Sequence, residues 1–405
     1  MKSRGEEVQQ HNIDEEESVH KEVIDHEQRV TGQDLEGETK KGAKTAKILS
    51  QNMFLRPVVR TNESDYKYER LQDLLHVIQN FDILCFQEVF SGFNSHKPQL
   101  LTVGKKAGFN YYCHSSKPGY FEKYLTDGGL VNLSRYPIVE SDEEVYKKAI
   151  GDCSIAKKGV LFSKIDMNGN YLYLFNTHLQ ANYHSSYDLY RKCINTKMYQ
   201  LKQLAEYIDS KTRDMKPDDK VMLVGDFNIS SRKFNSHIIN QFKGYAEQDP
   251  GYNTFLEEGF DCLMEAEIMK KILSADGLFN VKDLKDKLKD EEGAPATFAG
   301  TVELEDGSKV PVDTALMSQM DLMTEQSLDY IFILERNDIK KRNQEDFKDV
   351  EHPLSKTIKK QWFISKQTPF SIKEDTICVE KFIMEGKMYG SLSDHFGLSV
   401  NITNI

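Results

Sequence analysis

No stretch of this 405-residue sequence approaches the roughly 18 to 20 consecutive apolar residues of a membrane-spanning helix. The N-terminus also lacks the apolar core of a secretory signal peptide. Basic residues are fewer than acidic ones: the sequence has 53 lysines and arginines and 64 acidic residues, which gives a net charge of −11. A net negative charge does not favour binding to the negatively charged backbone of a nucleic acid, so a nucleic-acid partner is disfavoured. We expect a cytoplasmic protein whose contact with a membrane, if any, is peripheral.

The spacing of the cysteines indicates their oxidation state, and the distribution of aromatic residues indicates which part of the chain folds. The six cysteines are irregularly spaced and include no Cys-x-x-Cys pair, which indicates reduced thiols. No aromatic residue precedes Phe54, and residues 1–44 contain acidic runs. Such a segment cannot bury enough apolar surface to offset the conformational entropy that it would lose on folding. We therefore predict a disordered acidic tail over residues 1–44 and a folded catalytic domain over residues 45–405.

The main positive feature is a set of five short apolar runs, each with side chains at or near one end that can bind a metal or transfer a proton. These side chains are Glu88, His178, Asp226 with Asn228, Asp329, and Asp394 with His395. The apolar runs are rich in Val, Ile, Leu and Phe and predict buried strands. Strand ends converge at one edge of a sheet. Carboxylates and imidazoles gathered there would supply the oxygen ligands that Mg²⁺ prefers and a proton carrier near neutral pH.

The remaining pattern predicts strands with interspersed helices. Apolar residues fall at helical spacing from Tyr68 to Ile78 and from about Tyr187 to Lys211. Further strands are predicted at 46–53, 130–133, 160–165, 171–175, 221–224, 328–334 and 396–402. Because helices and strands do not alternate strictly, the order favours a layered α/β or α+β sandwich. The charged segments at about 265–325 and 335–360 are predicted to be inserted loops.

Each motif also has an ordinary structural interpretation. A salt bridge alone would explain a buried Glu88, and an Asx turn after a strand would explain Asp226 and Asn228. His178 taken singly would be a hydrogen-bonded histidine at a sheet edge. A catalytic and metal-binding role is favoured, because the ordinary structural explanations would have to hold independently for all five motifs.

The five motifs stand in a fixed order: Gln87-Glu88, Thr177-His178-Leu179, Gly225-Asp226-Phe227-Asn228, Asp329-Tyr330 and Ser393-Asp394-His395. This ordered set resembles the endonuclease/exonuclease/phosphatase superfamily, the fold typified by deoxyribonuclease I. A finer resemblance, to the neutral Mg²⁺-dependent type-C sphingomyelinases, rests on Asp127-Gly128-Gly129, Lys158-Gly159 and the run from Thr177 to Ala181. It implies a four-layer α/β (α+β) sandwich in which two packed β-sheets are flanked by helices. It also implies hydrolysis of sphingomyelin to ceramide and phosphocholine.

The resemblance further implies a role for each motif residue. It implies a metal site formed by Glu88, Asn52, Asp226, Asn228 and Asp394, with Mg²⁺ as the ion and Mn²⁺ as the alternative. It implies a catalytic set formed by His395, His178, Asp329 and Asn228. Within that set, His395 is the implied general base, Asp329 orients it, and His178 steadies the phosphoryl oxygens.

A phospholipid or sphingolipid substrate would require contact with a membrane. Trp362, the only tryptophan, stands beside Phe363 and follows Lys359-Lys360. This grouping suits a bilayer surface, although the two aromatic residues would equally serve to close the core. The Lys157-Lys158 pair could add positive charge for the phosphate, but a solvated surface is the more common fate of such a pair.

Two other classes of function are weighed against this one: another hydrolase of the same superfamily, and a non-catalytic module. An inositol polyphosphate phosphatase is expected to carry an Arg soon after Gly-Asp-x-Asn and a later Trp-Cys-Asp-Arg segment, and the sequence shows neither. A nuclease or deadenylase shares all five motifs but is disfavoured by the net acidity and by the run from Thr177 to Ala181. A non-catalytic module that binds a membrane or a partner is disfavoured because both histidines and every carboxylate are present.

Overall fold

The structure is a computed structural model that describes residues 45–56, 65–92, 94–257, 262–338 and 369–404. Its described strands are β1 Thr45–Leu55, β2 Ile83–Val89, β3 Tyr111–His114, β4 Val131–Ser134, β5 Ile138–Val145, β6 Gly159–Met167, β7 Asn170–His178, β8 Lys220–Asp226, β9 Phe279–Asp283, β10 Thr301–Glu303, β11 Lys309–Pro311, β12 Asp329–Arg336, β13 Ser371–Glu380 and β14 Gly397–Thr403. Its described α-helices are α1 Lys67–Ile78, α2 His96–Lys106, α3 Tyr187–Thr212, α4 Ser236–Gln248, α5 Gly251–Glu257 and α6 Cys262–Leu273. Short 3₁₀ helices span Gly151–Ile155 and Leu284–Leu288.

The long strands form two six-stranded mixed sheets. The first sheet has the order β13-β14-β1-β2-β4-β3 and the second has the order β5-β6-β7-β8-β12-β9. Only two pairs of neighbours within these sheets are parallel, β1 with β2 and β7 with β8. Glu88, His178 and Asp226 lie at the carboxyl ends of β2, β7 and β8, whereas Asp329 begins β12 and the Ser393-Asp394-His395 motif precedes β14. Strands β10 and β11 form a separate hairpin.

Alternation along each strand divides the core into three apolar layers. Ile48 of β1 packs between the sheets with Leu174 of β7 and Ile331 of β12. Its neighbour Leu49 faces the other way and packs in the layer that includes Leu71 of α1, since successive side chains of a strand point to opposite faces. A third layer packs residues of the second sheet against α3 and α6. The architecture is therefore the predicted four-layer sandwich of two β-sheets flanked by helices.

The predicted long elements are confirmed and several short ones were missed. The two predicted helices correspond to α1 and α3, and each predicted strand overlaps an observed one. Helix α3 begins after Ser186, whose side chain caps it by accepting from the Leu189 amide at 3.2 Å. Strands β5 and β13, which lie at sheet edges, were not predicted. Both are mostly charged or polar, as edge strands that avoid pairing with other chains usually are.

The predicted inserted loop at about 265–325 contains regular structure. It includes most of α6, all of β9 and the β10–β11 hairpin. Strand β9 pairs with β12 and completes one edge of the second sheet. Its five residues are too few and too polar to show a strand pattern, which explains the difference from the sequence-based expectation. The predicted loop at 335–360 begins within β12, and residues 339–360 lie outside the described ranges.

Other predictions fall partly or wholly on residues that are not described. The acidic tail and the pair Trp362 and Phe363 lie outside the described ranges. The five cysteines whose side chains are described are all free thiols. No helix within the described ranges is long and apolar enough to cross a bilayer.

Candidate active site

The ends of five strands bring the predicted site residues to one edge of the two sheets. His178, Asp226 and Asp329 occupy directly paired positions across β7, β8 and β12. In the other sheet, Asn52 and Glu88 lie near the carboxyl ends of β1 and β2. Asn52 Nδ2 donates a hydrogen bond to Asp226 Oδ2 at 3.0 Å and so joins the two sheets at this edge. The edge formed by these five residues and His395 is called the active-site rim below.

Gly225 allows β7 and β8 to approach closely at this rim. Its φ is +140°, and a Cβ added there would lie 1.9 Å from the carbonyl oxygen of Thr177. Since no side chain can be accommodated against that backbone atom, the Gly-Asp sequence is a packing requirement of the parallel strand pair. It sets the Asp226 carboxylate beside the end of β7.

Glu88 contributes a carboxylate that ordinary pairing does not explain. Its Oε1 atom lies 3.9 Å from His178 Nε2, and its buried Oε2 atom accepts no hydrogen bond and lies 3.8 Å from Arg56 Nε. Glu88 also has a φ of +58°, a region that non-glycine residues rarely adopt and that is often found at functional sites. The ordinary alternative for this residue, a salt bridge, is present only as this long contact with Arg56, in which Oε2 accepts no hydrogen bond.

The side chains at the rim fit a divalent cation. Ligand atoms of Glu88, His178 and Asp226 all lie within 4.8 Å of one another, and those of Asp226, Asp329 and His395 meet the same limit. Burial raises the pKa of Asp226 to about 6, against the opposing effect of His395. Crowded carboxylates with an unsatisfied oxygen are what a cation would stabilise, and a donor set dominated by oxygen suits Mg²⁺ or Mn²⁺.

Asp394 lies in the same crowded environment. Burial raises its pKa to about 7, with His395 opposing this rise and the charge of Glu88 reinforcing it. The Ser393 hydroxyl donates to the carbonyl oxygen of Asn52 at 2.6 Å and lies 3.1 Å from Asp394 Oδ1. This hydrogen bond joins the Ser393-Asp394-His395 motif to the end of β1. The contact could not be predicted from the sequence, because the two segments are far apart in the chain.

His395 and Asp329 form a buried pair. His395 Nδ1 lies 2.8 Å from Asp329 Oδ2, while the opposite nitrogen, Nε2, lies 3.9 Å from Asp226 Oδ2. A carboxylate at Nδ1 holds the proton on that nitrogen and leaves Nε2 as the acceptor. Burial by itself lowers the pKa of His395, but the charges of Asp329, Asp226 and Asp394 more than offset this and raise it well above its usual value. Asp329 therefore orients the imidazole, and Nε2 would accept a proton once nearby positive charge lowered the pKa of His395.

A buried lysine lies against His178. Lys158 Nζ is 3.0 Å from His178 Nε2 and donates to the carbonyl oxygen of Leu179 at 2.9 Å. Burial, followed by the positive charge of Lys158, lowers the pKa of His178 well below its usual value. His178 is therefore neutral, and the positive charge at this place is carried by Lys158, which is only 5% exposed. Of the two interpretations of this lysine, the solvated surface is wrong.

Asn228 supports the loop that carries Asp226. Its backbone amide donates to Asp226 Oδ1 at 2.9 Å, which closes an Asx turn, and its Nδ2 donates to the carbonyl oxygen of Leu179 at 3.3 Å. The turn that the sequence allowed as an alternative is therefore present. A metal-ligating or catalytic role for Asn228 stays a prediction, as do the individual roles of the other rim residues.

Sequence reasoning missed a contribution from the region predicted as an inserted loop. The Phe298 ring lies against the His395 imidazole, with ring centroids 4.9 Å apart. The Thr297 hydroxyl accepts from the Asp329 amide at 3.1 Å, and the Thr297 carbonyl accepts from the Phe396 amide at 2.6 Å. Residues 297 and 298 thus hold both members of the histidine–aspartate pair. No local pattern distinguishes these residues from an ordinary loop, so the sequence carries no signal for this contact.

The fold and the rim together define a class: two-sheet sandwich proteins with a carboxylate–histidine centre suited to phosphoester chemistry. The Endonuclease/Exonuclease/phosphatase family model matches residues 49–263, more than half of the chain. The chain therefore belongs to the endonuclease/exonuclease/phosphatase family. Residues 49–263 include Asn52, Glu88, His178 and Asp226, but not the C-terminal motif.

Relatives and solved structures agree with this membership. The chain is 26% identical to a sphingomyelinase of Dictyostelium discoideum over 84% of its own length and 75% of that protein. It is 26% identical to a phospholipase C of Staphylococcus aureus over 50% of its own length and 62% of that protein. These matches support a phosphodiesterase of this superfamily.

The structural comparisons show the fold. The crystal structure of SmcL matches 89% of this chain and 99% of that chain at 18% identity, with a TM-score of 0.53. A Staphylococcus aureus beta toxin variant with bound magnesium ions matches 88% of this chain and 98% of that chain at 18% identity, with a TM-score of 0.51.

Proposed function

We propose that this protein is a divalent-metal-dependent phosphodiesterase that hydrolyses sphingomyelin to ceramide and phosphocholine. The observation that carries the proposal is the pairing of His395 with Asp329 at 2.8 Å, on the same rim as the Glu88, His178 and Asp226 cluster. An oriented imidazole beside a metal-binding cluster is the equipment that attack of water on a phosphodiester requires. The choice of sphingomyelin rests on the sphingomyelinase relative that covers most of the chain.

In this proposal Glu88 and Asp226 hold the cation, Asn52 fixes the Asp226 carboxylate through their hydrogen bond, and Asp394 adds negative charge nearby. When bound, a divalent cation such as Mg²⁺ supplies positive charge that polarises a phosphoryl oxygen and offsets the negative charge that holds the pKa of His395 high.

The proton steps are assigned to the histidine–aspartate pair. His395 Nε2 accepts the proton of the attacking water, and Asp329 keeps the imidazole in the correct tautomer and stabilises the imidazolium that forms. Lys158 adds positive charge for the phosphate oxygens, and neutral His178 keeps Lys158 in place through their 3.0 Å contact. Such general-base assistance typically contributes about 10² to 10⁴ in rate.

A substrate panel in the presence of Mg²⁺ tests the proposal. It comprises sphingomyelin, a lysophospholipid, phosphatidylcholine, a phosphoinositide and abasic DNA, each with and without a chelator. We expect sphingomyelin to be the preferred substrate and the chelator to abolish its turnover. Preference for abasic DNA or for the phosphoinositide would replace the sphingomyelinase assignment with another activity of the same family. No turnover of any substrate would favour a non-catalytic role.

A further inference from the structure

The most exposed large apolar side chains of the described residues are adjacent in sequence. Tyr120 and Phe121 are each 97% exposed. The Glu122 amide donates to the carbonyl oxygen of Gly119 at 3.0 Å, which closes a tight turn with these two aromatic residues at its corners. Turn corners normally carry Gly, Pro, Asn, Asp or Ser. Two exposed rings at such a position lack the favourable free energy that aromatic side chains usually gain from burial.

This turn lies in a segment, residues 116–125, that is called the aromatic loop below. Its two rings contact each other edge to face, with centroids 5.2 Å apart. Leu125 adds further apolar surface, being 70% exposed. Lys117 and Lys123 are both exposed, and the loop carries two lysines against one glutamate although the whole chain is net acidic.

The C-terminal end of the aromatic loop and the residues that follow it are joined to two chain segments, one next to Glu88 and one next to Lys158. On one side, the Val89 amide, directly after Glu88, donates to the carbonyl oxygen of Gly129 at 2.9 Å. On the other side, the Leu125 amide donates to the carbonyl oxygen of Ile155 at 2.8 Å, and Thr126 pairs with Ala156 in a parallel bridge just before Lys158. The loop is therefore followed directly by residues that are hydrogen-bonded to the segments carrying Glu88 and Lys158.

We propose that the aromatic loop is a docking element for the headgroup region of a phospholipid bilayer, with Tyr120 and Phe121 entering the interface and Lys117 and Lys123 contacting lipid phosphates. This inference rests on the proposed function, because it supplies the contact that a lipid substrate requires. Aromatic rings and flanking basic side chains are the residue types that concentrate at the water–bilayer boundary.

The size of the exposed surface favours a bilayer over a protein partner. Two aromatic side chains bury roughly 150 to 250 Å² each, which is less in sum than the roughly 800 Å² that each partner contributes to a standard protein interface. A small apolar tip with a basic flank is sufficient for peripheral attachment to lipid, since the depth of insertion required is only about 5 to 10 Å.

Binding to vesicles separates this inference from the proposed function. The protein is mixed, in the presence of EDTA, with vesicles of phosphatidylcholine and sphingomyelin in equal amounts, and the bound fraction is measured by flotation. The double variant Tyr120→Ser/Phe121→Ser is compared with the wild type and with Val139→Ser. Val139 is a matched control because it is 52% exposed and lies in β5, next to the end of β6 that is farthest from Lys158.

We expect the double variant to lose about tenfold or more in vesicle partitioning, while Val139→Ser binds like the wild type. Both variants should keep the thermal midpoint and the Mg²⁺-dependent turnover of sphingomyelin in detergent micelles. Equal vesicle binding by the wild type and the double variant would overturn the inference, as would a wild type that does not bind vesicles. Loop-dependent vesicle binding without hydrolysis of any lipid would uphold docking and contradict the proposed function.

Discussion

The pairing of His395 with Asp329 is the interaction on which the proposed chemistry depends. The 2.8 Å contact commits Nδ1 of the imidazole and leaves Nε2 facing the metal-binding cluster. In the proposed mechanism the proton acceptor is His395, since the other histidine of the rim, His178, has its Nε2 atom 3.0 Å from Lys158 Nζ.

Replacing His395 with Ala should lower kcat by about 10² to 10⁴. Mg²⁺ binding, measured by calorimetry, should stay close to that of the wild type because the Glu88 and Asp226 carboxylates remain in place. The thermal midpoint should fall, because the substitution leaves the buried Asp329 carboxylate without its hydrogen-bond partner. Retention of more than about a tenth of the wild-type kcat at saturating Mg²⁺ would be incompatible with the role assigned to His395.

At the scale of structural elements, the segment around Phe298 acts on the site through His395. Phe298→Ala should lower kcat about tenfold with little change in KM, because the imidazole loses the ring that restricts its position. Phe298→Tyr keeps the ring and should restore most of the activity. A lowered thermal midpoint with an unchanged kcat would show that Phe298 serves packing alone.

The aromatic cluster of α3, α4 and α5 makes stability depend on pH through His184. Its imidazole stacks on Tyr190 and Tyr245, with centroids 4.9 Å away in both cases, and its Nδ1 atom is buried without a hydrogen-bond partner. Burial, followed by the charge of Lys197, lowers the pKa of His184 to about 4. The neutral form is favoured by the fold, so this contribution to stability is complete above the unfolded pKa and is lost as the pH falls from about 6.5 towards 4.

His184→Phe should therefore flatten the loss of unfolding free energy between about pH 6.5 and pH 4, because a difference of one between the folded and unfolded pKa values is worth about 1.4 kcal/mol. The measurement is denaturant unfolding of both proteins across this range of pH. Parallel curves for the two proteins would show that His184 does not contribute. His96, whose pKa burial also lowers to about 4, remains in both proteins and cancels from the comparison.

At the scale of the whole molecule, long buried strands were predictable and contacts between distant segments were not. Strands β7 and β8 are apolar on both faces because they lie between other layers, so their sequences stand out. Lys158 could not be distinguished from Lys157 by composition, since its burial depends on the end of β7 meeting it from elsewhere in the chain. The contact between Phe298 and His395 could not be predicted either, because the two residues are nearly a hundred positions apart in the sequence.

The acidic segment before the first strand should be dispensable for the fold. Deleting residues 1–44 should leave the thermal midpoint and the activity on detergent-dispersed substrate nearly unchanged, because these residues include no aromatic side chain that could dock on the domain. The comparison is made between the full chain and the shortened chain by calorimetry and by turnover. A clear decrease in the midpoint would show that the segment packs on the domain.

The role of the rim as a metal-dependent phosphodiesterase site is tested most directly by the Mg²⁺ dependence of phosphocholine release from sphingomyelin. The wild type should be inactive in EDTA and saturate with Mg²⁺. Glu88→Gln keeps the shape of the side chain and removes its charge, so it should need about tenfold more Mg²⁺ for half-maximal activity, with an unchanged thermal midpoint. Turnover in EDTA, or metal titrations of the two proteins that superimpose, would contradict this role and leave Glu88 as a structural carboxylate.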